Sequence, residues 1–138
     1  MINFNFLRIS EDILDQSTTT SWLNEVIKSE NKIAGDIQFV FCDDKFLLDV
    51  NKAYLDHDTF TDIITFPTSQ NEMIISGEVY ISQERVLDNA AQRGLEMEAE
   101  LSRVMVHGIL HLTGYNDKTK AGKIEMRAKE DYYLNLQS

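Results

Sequence analysis

His107 and His111 stand four residues apart. On an α-helix that spacing puts both side chains on one face, roughly 6 Å apart. Two imidazoles so placed can converge on a single metal ion. The pattern continues past the second histidine with Gly114 three residues on and Asp117 three beyond that. A glycine lets the chain turn sharply off the helix, so a carboxylate just after it can swing back as a third ligand. This is the spacing logic of H-E-x-x-H-x-x-G-x-x-H metalloproteases, with two differences. Gly108 stands where those enzymes carry a glutamate base, and Asp117 stands where they carry a third histidine. Three protein ligands plus a water is the catalytic zinc pattern. An ion held there would lower the pKa of its bound water and polarise an oxygen that it touches. The same residues admit a plainer reading. The histidines could be core residues bonded to carbonyls, and Asp117 could cap the following helix.

The elements that would position these residues can be read from periodicity. Leu101 to Leu112 is apolar on every side, which marks a buried helix, here over about 96–113 with Gly114 as its stop. Burying two histidines in it costs free energy unless each finds a partner. Upstream, Ile2, Phe4 and Phe6 alternate with Asn3 and Asn5 as in a half-buried strand. The cluster Ser17–Ser21 offers N-caps for a helix carrying Trp22, Leu23, Val26 and Ile27. After Gly35, residues 36–42 read as a strand, and Asp43 and Asp44 as cap types for a helix with Phe46, Leu47, Val50 and Tyr54. Strands are expected over 62–66, stopped by Pro67, and over 74–81. Ser82 is placed to cap a helix carrying Val86, Leu87, Ala90 and Ala91, with Gly94 at its end. A last helix, about 119–136, is expected to pack through Ile124, Ala128, Tyr132 and Leu136. The sum is an α+β fold, a mixed sheet of about four strands packed with helices around the buried histidine helix. With no repeat, low-complexity tract or linker, residues 1–138 read as one unit.

Composition narrows the function classes. One cysteine, Cys42, excludes an internal disulfide and a Cys-rich zinc module. No apolar run reaches the roughly 18 residues of a membrane span. Residues 1–6 have neither a basic nor a long apolar region, so no secretory signal is expected and a cytoplasmic location is the default. The net charge of −10 argues against non-specific grip on nucleic acid, DNA included. The charge is uneven, with eight basic against twenty acidic residues over 1–117 and five against three over 118–138. Lys118, Lys120 and Lys123 leave the turn after the histidines and could hold an RNA backbone, or simply form a solvated helix face.

Three stretches resemble the YbeY family. His107-Gly108-Ile109-Leu110-His111-Leu112-Thr113-Gly114-Tyr115 is similar to its signature H-G-x-L-H-L-x-G-Y-D-H. Thr61 to Pro67 resembles its T-(D/N)-V-L-S-F-P strand, and Gly77 to Ser82 its G-D-(I/L)-x-I-(S/C) strand. The resemblance, along essentially the whole chain, implies a single-metal, zinc-associated endoribonuclease specific for single strands. It implies action in ribosomal RNA maturation, at the 3′ end of the small-subunit 16S rRNA, and in ribosome quality control. Two departures stand out. The signature ends Asp-His where this chain has Asn116-Asp117, and Leu55 follows Tyr54 where the family usually has an arginine. His57 and the patch from Lys118 are candidates to meet the substrate phosphate instead, and His57, flanked by Asp58 and Asp62, is also a candidate base.

Three functions remain in view. One is metal-assisted hydrolysis of RNA by His107, His111, Asp117 and one zinc or other divalent ion. The second is a ribosome-associated binding module with a structural metal. The third is a metallopeptidase, which Gly108 argues against.

Overall fold

The computed structural model describes residues 1–57 and 59–137, so Asp58 lies outside the described residues. In chain order the elements are β1 (Ile2–Phe6), α1 (Gln16–Ser29), β2 (Ile33–Cys42), α2 (Asp44–Leu55), β3 (Ile63–Pro67) and β4 (Ile74–Ser82). Then follow α3 (Gln83–Arg93), α4 (Met97–Thr113) and α5 (Lys120–Leu134), and a short 3-10 turn, Glu11–Ile13, precedes α1. The sheet runs β1-β2-β4-β3. β1 is parallel to β2 and β2 to β4, whereas β3 is antiparallel to β4. The fold is therefore α+β on a mixed four-stranded sheet.

Side chains alternate across a strand, and the alternation here feeds two apolar layers. Ile37, Phe39, Phe41, Val79 and Ile81 face the larger core with α1 and α4. Ile64, Cys42, Leu47 and Val50 form a smaller cluster under α2 on the other face. Cys42 is a buried hydrophobe, its thiol pushed up to about 12 by burial and by Asp43 and Asp44. α4 touches α1, α3, α5, β3 and β4, which makes it the central helix. It buries Leu101, Val104, Met105, Val106, Ile109 and Leu110, each worth roughly 1.5–3 kcal/mol of transfer. Trp22 of α1 is buried and donates its indole N–H to the Tyr133 carbonyl at 2.9 Å. That bond ties α1 to the end of α5.

Four local expectations are corrected. Asp15, not the cluster Ser17–Ser21, caps α1 by accepting from the Thr18 amide at 3.1 Å, so the cluster lies inside the helix. β2 begins at Ile33, and Gly35 sits within it at a register irregularity between Ala34 and Ile37. On α3, Val86 and Ala90 are buried while Leu87 and Ala91 are exposed. On α5 the expected stripe Ile124, Ala128, Tyr132 and Leu136 is exposed. The buried face is instead Met126, Glu130 and Tyr133, because Glu130 finds charged partners on α4.

Candidate metal centre

The C-terminal half of α4 carries the two histidines on the side turned toward α5. Gly108 faces the opposite way. A Cβ there would meet Val79 Cγ1 at 2.9 Å and Ile63 Cδ1 at 3.1 Å. The helix thus lies so close to β3 and β4 that the residue after His107 has no room for a side chain. The glutamate of the protease pattern would be driven into the sheet. At the other end Gly114 adopts φ 115°, a conformation that L side chains rarely take. The chain turns there and brings Asp117 back over the histidines. Thr119, not Asp117, caps α5 by accepting from the Gly122 amide at 2.9 Å. Asp117 is left facing the histidine pair.

His107 Nε2 and His111 Nε2 lie 3.0 Å apart. Asp117 Oδ2 is 3.5 Å from the first and Oδ1 3.7 Å from the second. Ligand atoms of the three residues lie within 4.8 Å of one another. The other ring nitrogens are occupied. His111 Nδ1 sits 3.1 Å from the Tyr115 carbonyl, which can only accept, so this nitrogen carries a hydrogen. His107 Nδ1 lies 2.6 Å from Glu130 Oε2. Arg103 donates to Glu130 Oε1 at 2.8 Å and to Asp131 at 2.6 Å. Burial disfavours an ionised Glu130, but its bonds to His107 and Arg103 outweigh that and hold its carboxyl below the usual range.

With each Nδ1 turned to an acceptor, two neutral rings would aim both Nε2 lone pairs at one another and at a carboxylate, an arrangement that a proton or a metal ion among them relieves. Burial works against a charged His107, but Glu130, with Asp117 and Asp62 behind it, raises its pKa above the ordinary value. His111 goes the other way, lowered by burial and by its charged neighbour. A proton on His107 and a divalent ion would compete for the same place. The donor set fits a zinc-type ion: two imidazole nitrogens, one carboxylate, and outer partners that fix the tautomers.

The turn is braced from α1. Tyr115 Oη donates to Glu30 Oε1 at 2.7 Å, Lys129 Nζ lies 3.2 Å from Glu30 Oε2, and the Tyr133 hydroxyl donates to the same carboxylate. Beside the triad lies a polar cleft of about 240 Å³ lined in part by His107, Asp117, Asp62 and three arginines, Arg93, Arg103 and Arg127. Lys118, Lys120 and Lys123 are exposed and do not line it. His57 and Leu55 line a separate pocket of about 320 Å³, which borders the cleft through their shared residue Ile63. Glu130, Arg103 and the cleft arginines are site residues that sequence reasoning missed. The one available signal was an acid, Glu130, in the middle of a basic stretch.

Fold and triad together define a class: α+β proteins whose central helix and the turn after it present three side chains that could hold a metal ion. Residues 5–137 match the family described as Endoribonuclease YbeY, to which this chain belongs. Proteins of that name from Flavobacterium psychrophilum and Flavobacterium johnsoniae are 47% and 50% identical to it. The first alignment covers 99% of this chain and 96% of the relative, the second 95% and 93%. A protein of Thermotoga maritima, known from a solution structure, shares the fold at a TM-score of 0.71 and 27% identity. That match covers 98% of this chain and 87% of the other.

Proposed function

We propose that this chain is a metal-dependent endoribonuclease acting on single-stranded RNA. His107, His111 and Asp117 hold one divalent ion, zinc by the chemistry of the set. The observation that carries the reading is the pair of Nε2 atoms 3.0 Å apart facing Asp117, in a chain whose relatives are named endoribonucleases. When bound, such an ion supplies Lewis acidity toward a phosphoryl oxygen and an activated water. The chain supplies orientation. Glu130 and the Tyr115 carbonyl fix both rings so that Nε2 faces inward, and the cleft beside His107 offers donors to an anionic backbone. Lys118, Lys120 and Lys123, exposed just past Asp117, would meet the RNA backbone outside the cleft, and His57, in the adjoining pocket, would meet a neighbouring nucleotide. We assign the substrate to ribosomal RNA, at the 3′ end of the small-subunit 16S species. The setting is the cytoplasm and ribosome quality control, as the family resemblance implies.

A binding module with a structural metal is the second reading. Structural zinc sites are closed by four protein ligands, and among the described residues the set has three. That open position favours catalysis. The deciding experiment is metal per chain in wild type and Asp117→Ala, followed by cleavage of a single-stranded and a duplex oligoribonucleotide. About one zinc per chain, weakened at least tenfold by the substitution, with cutting of the single strand only, is expected. Stoichiometric metal with no cleavage of either RNA would leave the binding module as the better reading.

A further inference from the structure

The cleft beside the triad holds three arginines, but two are already committed. Arg93 reaches both oxygens of Glu100 at 2.8 and 2.9 Å. Arg103 is split between Glu130 and Asp131. Arg127 differs. Among the described residues it makes no hydrogen bond, and its one ion pair is a loose 4.0 Å approach to Glu130. Its side chain is 56% exposed, yet it lines the same cleft as His107 and Asp117. A guanidinium with its donors unspent, on the wall of a metal cleft, is built for a planar two-point grip on a phosphate.

We propose that Arg127 is the residue that holds the RNA phosphodiester at the triad. This rests on the endoribonuclease reading and names the residue that grips its substrate. Charge supports it. Four carboxylates line the cleft against three arginines, so a divalent ion leaves one positive charge over, which a single phosphodiester neutralises. Size supports it too. About 240 Å³ is below the roughly 300–1,000 Å³ of pockets that enclose whole small molecules. The cleft takes an anionic group and leaves sugar and base outside. Glu130 is held by His107 and Arg103 without help from Arg127, so removing Arg127 leaves the metal ligands oriented.

The test uses zinc-loaded full-length protein and a labelled single-stranded oligoribonucleotide. Affinity is measured over a salt series for wild type, Arg127→Ala, Arg127→Lys and Lys120→Ala, with metal per chain for each. Arg127→Ala should bind RNA about tenfold or more weaker. Its plot of log K against log salt should be shallower by about 0.7, one phosphate contact on a single strand. Its zinc content should equal wild type. Arg127→Lys should keep the slope and recover part of the affinity, and Lys120→Ala should lose less than Arg127→Ala. Wild-type affinity and slope in Arg127→Ala would overturn the assignment while leaving the endoribonuclease reading intact. Loss of zinc in Arg127→Ala would overturn it as well, by showing that Arg127 acts through Glu130. A wild type that neither binds nor cuts RNA would overturn both.

Discussion

His107 is pulled two ways by its neighbours. Glu130 orients the ring through Nδ1 and also raises its affinity for a proton. A metal must displace that proton, so metal affinity should rise with pH through a window above the ordinary histidine value of 6.5. Glu130→Gln removes the charge that fixes the ring, and metal affinity should fall roughly 10–100-fold, read by chelator competition from pH 6 to 8. The proton competition should weaken in the same variant. In metal-free protein the pair has its own pH signature. Glu130's contribution to stability is present above its unfolded value, near 4.5, and is lost as pH falls through its lowered folded value. His107's is present below 6.5 and is lost as pH rises through its raised folded value. Thermal stability of the metal-free protein should therefore be best supported between those two values, and a steady rise from pH 6 to 8 would contradict this. The triad was legible because His107, His111 and Asp117 obey helix and turn spacing. Glu130 lies 23 residues beyond His107 and meets it only through helix packing, so no local pattern announced it.

At the scale of elements, the order of strands and helices followed from periodicity, and the boundaries moved by a few residues. The informative miss is α5. Two helical faces were compatible with its sequence, and the more apolar one, Ile124 through Leu136, faces outward. The face that packs contains a glutamate. Periodicity counts apolar residues and has no means of crediting a charge that will be paired after folding. Met126 is 2% exposed and Ile124 63%. Met126→Ala should cost about 2–5 kcal/mol, and Ile124→Ala within about 0.5 kcal/mol of nothing. Urea unfolding of the two variants checks this, and equal midpoints would mean that α5 docks by the other face.

For the whole molecule, the charge of −10 and the proposed RNA substrate pull against each other. The positive features are local: the cleft arginines and the lysines after Asp117. A divalent ion held by the triad would tip the cleft toward an anion, so stripping the metal should weaken single-stranded RNA binding more than tenfold at low salt. The gap should narrow as salt rises, because screening reduces the repulsion by the acidic body. Direct binding measurements with and without chelator test this, and equal affinities would mean that RNA is held away from the triad. The same assembly carries its own optical probe. Trp22, the one tryptophan of the chain, is buried and bonded to the Tyr133 carbonyl, three residues past Glu130. Its emission therefore reads the docking of α5, and in a zinc titration that single indole would report, without any added dye, a shift of α5 that the ion causes.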